Sequence, residues 1–322
     1  MRPSDPRHGE SVSALAEEDP VHSTTSEHGR MVELAGLPIR QRGGHRREII
    51  AVAVLAVLAL AVWSVVTNEA LQWDIVGRYM LDIRILNGVW VTIGLTAVSM
   101  AVGLVLAVII ALMRLSGNWA LRQAALLFVW FFRSTPVLVL LIITFNLSLF
   151  YPTLTIGIPG GPTLISGETH ALISPFWAAV LAFALNEAAY SAEILRSSIT
   201  AVSTGQWEAG TALGMTRARI YRRVVLPQAL RIAIPPLGND TINMLKGTSL
   251  VAFIAVFDLM YTAQSIYQLT YEVVPLLVVV TLWYIVLVTV LSAVQSLLER
   301  RLRRRSRKLG NAARVVAGGK PA

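Results

Sequence analysis

Over the first 48 residues the apolar positions show no periodicity. SDPRHGE, SEHGR and RQRGGHRRE follow one another among few apolar residues, and the pattern predicts a disordered tail. The tail is too long, and in places too acidic, to open a cleaved signal peptide. From Ile49 the pattern inverts, and six apolar stretches follow, each predicting a membrane-spanning helix. IIAVAVLAVLALAVWSVV, from Ile49 to Val66, is just long enough to span at about 1.5 Å per residue. The second stretch lies in the charge-free run between Arg84 and Arg114, and the third, STPVLVLLIITFNLSLF, follows Arg133. The fourth, ISPFWAAVLAFAL, reaches Asn186 and continues past it. The fifth begins around Ile232 and includes TINMLKGTSLVAFIAVF, with Asp240 just before that run and Lys246 inside it. The sixth, VVPLLVVVTLWYIVLVTVLSAVQSLL, stops at Glu299. Trp63, Trp73 and Trp90 lie near span ends, where indole rings suit the membrane interface.

Composition supports this pattern. Of 322 residues, 55% are hydrophobic and 15% charged, against about 45–50% and 25% in a soluble domain. There is no cysteine, which excludes a disulfide framework, a thiolate zinc site and a cysteine nucleophile. The net charge of +9 would suit a nucleic-acid binder, but the apolar runs would then have no soluble core to enter, so no nucleic-acid partner is expected. The distribution of the charge sets an orientation instead. Arg40, Arg42, Arg46 and Arg47 precede the first span and ERRLRRRSRK follows the sixth. Basic flanks face the cytoplasm, so both termini are placed there. The loops after spans two and four then also face inward, with Arg114 and Arg122 in one and Arg217, Arg219, Arg222 and Arg223 in the other. The outward loops are poor in bases: Glu69, Asp74, Arg78, Asp82 and Arg84 in the first, Glu168 and His170 in the second, Asp258 and Glu272 in the third.

The inward loop from Glu208 to Pro227, EAGTALGMTRARIYRRVVLP, has more order than a charge cluster requires. Ser203 and Gln206 have capping-box spacing, and Thr204 is a second candidate cap. Glu208 falls near the first turn, where a carboxylate suits the helix dipole. Ala209, Gly210, Ala212 and Leu213 make a small, smooth face, and Gly214 can take the left-handed conformation that ends a helix. Thr216 can cap a second helix, apolar at Ile220, Val224 and Val225 and basic over much of the rest, with Pro227 predicted to stop it. Two short helices at the inner membrane surface are expected, the first presenting its small face to the cleft of a partner.

Glu208-Ala209-Gly210, three residues, Gly214, nine residues, then Val224-x-Leu226-Pro227 resembles the EAA motif of ABC importer permeases, with Gly210 for the usual Ala and Val224 for the usual Ile. Asn87 to Ser116 resembles the opening of the permease core. FFRSTPVLVLL (Phe131 to Leu141), AAYSAEILRSSI (Ala188 to Ile199) and Leu298-Glu299-Arg300-Arg301 resemble the branch that imports histidine, glutamine, glutamate and basic amino acids. The resemblance implies an all-α membrane protein with the transmembrane domain of a type I ABC importer. It would have about six helices, a five-helix core at 87–305 plus an added span at 49–66. Residues 203–227 would form the coupling loop, between a disordered tail at 1–48 and a basic tail at 306–322. It implies that Glu208, Ala209, Gly210, Gly214, Arg217, Leu226 and Pro227 dock an ATPase. It also implies partners: two ATPase subunits, a second permease subunit, the same or homologous, and an extracytoplasmic binding protein that delivers a polar amino acid. The chain would sit in the cytoplasmic membrane.

The chain carries no G-x4-G-K-[ST], HExxH or G-x-S-x-G. It is therefore not expected to be an enzyme or to bind a metal or cofactor, and ATP and Mg would belong to the partner ATPase. Charges within spans are costly and become functional candidates. Glu187, Glu193 and Arg196 are read as a structural charge cluster, Glu193 and Arg196 being spaced to pair on a helix. Asn243, Lys246, Thr248, Ser249 and Asp258 are candidates for the translocation path, the alternative being satisfied interior polar groups. Two other readings stand beside the importer. A stand-alone ion-coupled carrier would suit the Pro235-Pro236 and Gly238 entry to span five, but has no need of the Glu208–Pro227 spacing. A membrane anchor that only recruits a partner would not explain the polar groups of span five.

Overall fold

The computed structural model describes residues 45–157 and 163–316. The expected tail at 1–48 lies almost wholly outside them, as do residues 317–322. The chain divides into two units, Met1–Thr67 and Asn68–Ala322. In the first, α1 (His45–Val66) starts four residues before the apolar run, with Glu48 in its first turn. Every described side chain from Glu48 to Val66 is exposed, as an apolar cylinder built for lipid would be.

The second unit holds the remaining described elements. α2 (Trp73–Met80) leads to α3 (Ile83–Leu115). Asp82 caps α3, its Oδ1 accepting from the Arg84 amide at 2.8 Å. The Arg84 guanidinium also bonds the carboxylate and holds its pKa below the usual range. After α3 come α4 (Trp119–Ser134), α5 (Val137–Phe145) and the single turn α6 (Leu147–Phe150). An antiparallel hairpin follows, β1 (Thr153–Gly157) paired with β2 (Thr163–Glu168). After the turn α7 (Thr169–Leu172) comes α8 (Pro175–Thr200). The loop helix α9 (Thr204–Ala212) leads to α10 (Arg217–Ile220), a π-helical turn (Tyr221–Val225) and α11 (Leu226–Gly247). A 3-10 segment (Thr248–Ile254), α12 (Leu259–Thr270) and α13 (Val273–Val316) complete the unit. The basic segment from residue 306 thus continues α13 as far as Val316.

Four described helices are long and apolar enough to cross a membrane, or up to six if two bent pairs each count as one span. The differences from the sequence expectation fall in those pairs. The third span is not a straight helix from Ser134. An apolar helix already begins at Trp119, capped by the Asn118 side chain, and the chain bends by 99° between α4 and α5. Pro136 causes the break, since it has no amide to continue the α4 ladder and disfavours helix at Thr135. The fifth span does not begin near Ile232, because α11 is continuous with the loop before it, and its partner α12 is bent by 44°. The hairpin Thr153–Glu168 has no counterpart in the expected pattern.

Close approach of α3 and α8 organises the unit. Gly103, Ala107 and Ala111 of α3 and Ala184, Ala188 and Ala192 of α8 are buried small residues. Small residues let helix backbones come together where lipid gives no hydrophobic drive. At Gly103 a β-carbon would lie 2.9 Å from Glu187 Cβ, so only glycine fits. One apolar cluster joins Leu95, Met100, Leu141, Phe183, Met244 and Ile254. A second joins Val76, Ile85, Leu259, Ile266, Leu276 and Val279.

Candidate functional site: a helical loop joined to a polar cavity

The loop begins where α8 ends. Ser203 sits at the N-cap of α9 but makes no side-chain cap bond. The Gln206 side chain accepts from Gln228 Nε2 at 3.3 Å rather than closing a capping box. Gly214 adopts φ +67°. The Met215 amide donates to the Gly210 carbonyl at 3.0 Å and the Gly214 amide to that of Thr211 at 2.9 Å. This paired return is the Schellman ending, which only a residue at ease with positive φ can make. Glu208, Ala209, Ala212 and Arg217 are exposed, and Leu213 is 80% exposed.

Two expectations for the loop are corrected. Gly210 does not belong to an outward small face. It is buried, and a β-carbon there would lie 2.8 Å from Ile220 Cγ1. Glycine at this position therefore lets α9 pack on the start of the next helix, in a cluster with Val202, Ile220, Val225 and Ala229. Nor does Pro227 stop that helix. The π-helical turn absorbs it: the Leu226 amide reaches back to the Tyr221 carbonyl, and Pro227 enters the first turn of α11. In that turn the lost proline amide costs nothing, and the widened turn removes the ring's usual clash. Trp207 packs edge-on against Tyr221 at 5.2 Å between ring centroids.

The helix that leaves the loop lines a cavity of about 240 Å³. Asp240, Asn243, Met244 and Gly247 come from α11, while Phe183, Asn186, Glu187 and Tyr190 come from α8, and Val137 closes one side. Glu187 is 6% exposed and accepts a hydrogen bond from the Ser191 hydroxyl. Asp240 Oδ2 is buried without a hydrogen-bond partner among the described residues. Asn186 donates to the Phe132 carbonyl at 3.0 Å, which leaves its own amide oxygen free to accept. The Arg133 guanidinium stacks 5.0 Å from the centroid of Tyr190.

The expected charge cluster is split. Glu187 belongs to the cavity, whereas Glu193 bonds Arg196 and lies 3.4 Å from Arg114 of α3, one turn and a half further along α8. Of the path candidates, Asn243 lines the cavity, and Lys246 is exposed beside it in sequence. Ser249 is half-buried and donates to the Lys246 carbonyl at 2.9 Å. Thr248 and Asp258 are fully buried. Asp258 caps α12, accepting from the Tyr261 amide at 2.8 Å, while the Leu259 amide bonds the Thr92 hydroxyl of α3 at 3.1 Å. Sequence reading missed the cavity pair itself. Glu187 and Asp240 come from helices far apart in the chain, and neither spacing nor composition links them.

Among known proteins, the family of binding-protein-dependent transport system inner membrane components is matched over residues 103–304, and the chain belongs to it. It is 40% identical over 282 residues to the arginine transport system permease protein ArgU of Corynebacterium glutamicum, covering 87% of this chain and 86% of that one. It is 38% identical to the L-cystine transport system permease protein TcyB of Bacillus subtilis, over 74% of this chain and 94% of that one. A solved amino acid ABC transporter with histidines superposes with a TM-score of 0.58 at 33% identity, over 68% of this chain and 94% of that chain. The inward-facing MetNI methionine ABC transporter shares the fold, with a TM-score of 0.54 at 20% identity. The fold is that of a type I ABC importer transmembrane domain, and the chain is a permease component of such an importer.

Proposed function

We propose that this permease carries a polar amino acid across the cytoplasmic membrane, in an importer driven by ATP that other subunits hydrolyse. Both termini face the cytoplasm, as the arginine distribution directs. The names of similar chains, for arginine, cystine and glutamine transport, support the substrate class. One of two ATPase subunits docks on the loop through Glu208, Ala209, Gly214, Arg217, Leu226 and Pro227, with Gly210 holding the loop's shape, and the other docks on the second permease subunit. A second permease subunit and an extracytoplasmic binding protein complete the assembly, and ATP and Mg reside on the ATPases. Residues 87–305 form the core, to which 49–66 adds a span.

One observation carries this reading. From Arg217 to Gly247 the loop and the cavity wall are one continuous helix, through a π-helical turn and past Pro227. A displacement of the loop by a closing ATPase pair is therefore passed toward Asp240 and Asn243 along unbroken helix, across Pro235 and Pro236 inside α11. Coupling between distant sites requires such a contiguous element together with a second arrangement of it. A carrier working alone would have no use for the connection.

The test is purification of the tagged chain from its native cell in mild detergent, with co-purifying chains identified by mass spectrometry. An ATPase subunit is expected with the wild type, and Glu208→Arg should lose it while the chain still elutes as a folded species. Retention of the ATPase by Glu208→Arg would move the docking point elsewhere.

A further inference from the structure

α11 has a weak section between the docking loop and the cavity. Pro235 and Pro236 lie inside the helix, so two consecutive residues bring no amide to its hydrogen-bond ladder. Prolines are where long helices bend sharply. Asp240, the first residue of α11 to line the cavity, comes just beyond the pair. Movement entering from the loop must cross the prolines before it reaches the cavity wall. A compliant section there would absorb that movement by bending instead of passing it on.

A side chain from another helix braces the section. Gln295 of α13 donates through Nε2 to the Pro235 carbonyl at 3.2 Å and to Asn239 Oδ1 at 3.3 Å. Those acceptors lie one turn apart on α11, so a single amide spans the turn that contains Pro236. Glu299, one turn further along α13, accepts from the same nitrogen at 2.9 Å. The neighbours fix the orientation of the amide: a carbonyl and a carboxylate only accept, so the nitrogen faces them and shares its two protons. Gly238 makes the approach possible. A β-carbon there would lie 2.5 Å from Gln295 Cδ and 2.8 Å from Nε2. Gln295 thus sits against the α11 backbone in a notch that only glycine leaves open, while Glu299 ties it to α13.

We propose that Gln295 is a positioning residue for transport, the brace that holds α11 in shape across Pro235 and Pro236 so that movement of the docking loop reaches Asp240 and Asn243. It lies outside the loop and is not among the residues lining the cavity, so it acts through α11 alone. This rests on the permease reading and adds the residue on which transmission depends.

The chain has no cysteine, so Lys246→Cys, at an exposed position late in α11, takes a single environment-sensitive fluorophore. The test uses the labelled complex purified with its ATPase and reads the amplitude of the fluorescence change when the ATPases are trapped with ATP, Mg and vanadate. Gln295→Leu should trap as much nucleotide as the unsubstituted complex, since the docking loop is untouched. Its amplitude should fall by roughly threefold or more, within the range by which residues between two sites modulate coupling. Adding Pro235→Ala and Pro236→Ala restores both amides and should recover at least half of the loss. Where Gln295→Leu does not assemble, Gly238→Ala/Gln295→Ala removes the donor while refilling the notch, and should show the same loss. The proposal is overturned by an amplitude unchanged in the variant, by no response in the unsubstituted complex, by a loss matched by an equal loss of trapped nucleotide, or by a loss that persists with both alanines in place. Recovery of the chain without any ATPase would instead overturn the permease assembly, so the two failures are distinguishable.

Discussion

Gly103→Ala is the smallest change that addresses the packing on which the cavity depends. The added methyl would lie 2.9 Å from Glu187 Cβ, 3.0 Å from its Cγ and 3.2 Å from the Ala184 carbonyl oxygen. A β-carbon and a backbone carbonyl cannot rotate away, so α3 or α8 must move. Overpacking of this kind costs about 1–3 kcal/mol. Gly94→Ala, on the same helix, meets nothing within 4 Å. Both changes gain alanine's helix propensity, worth about 1 kcal/mol, and that gain cancels when the variants are compared. Gly103→Ala should therefore be less stable than Gly94→Ala by about 1–3 kcal/mol. At roughly 2–4 °C per kcal/mol for a domain of 150–250 residues, the melting temperatures should differ by roughly 2–12 °C. Size-exclusion chromatography after stepped heating, in one detergent and at one heating rate, reads the difference even where unfolding is irreversible. Indistinguishable melting temperatures would refute the packing argument, and with it the account of how Glu187 is held in place.

Other expectations follow from single positions. Gly214→Val forces a β-branched residue to φ +67°; the strain of about 1–2 kcal/mol should loosen the loop and reduce ATPase recovery, while Gly214→Asn should do so less. Gly238→Ala places a β-carbon 2.5 Å from Gln295 Cδ, and truncation in Gln295→Ala should restore the lost stability, a coupling that a double-mutant cycle measures. Glu193→Gln removes the anion between Arg114 and Arg196; a loss of about 1 kcal/mol is expected, smaller at high salt, and no loss at low salt would make the pair ornamental.

The long apolar runs announced α1, α3, α8 and α13, because lipid demands an unbroken helix of sufficient length. The positive φ at Gly214 was likewise legible, since few residues other than glycine serve at that position. Proline misled twice, in opposite senses. Pro136 breaks a run whose apolar character suggested continuity, and Pro227 enters a helix it was expected to end. The difference lies in the turn before each, which is π-helical before Pro227 and extended at Thr135. Sequence spacing gives no sign of that. Gly210 was misread because its neighbour Ile220 lies ten residues on, across the Gly214 reversal. The Glu187–Asp240 cavity stayed hidden for the same reason, as a product of tertiary contact between α8 and α11.

The central claim is that this chain moves substrate only when an ATPase drives its loop. Its most direct test is uptake of radiolabelled L-arginine into proteoliposomes. They would hold either the chain alone or the complex purified through it, with the co-purified ATPase and the binding protein supplied, and with or without ATP on the ATPase side. The account predicts uptake only by the complex with ATP, and none by the chain alone under any ion gradient. Accumulation by the chain alone, driven by sodium or protons, would contradict it.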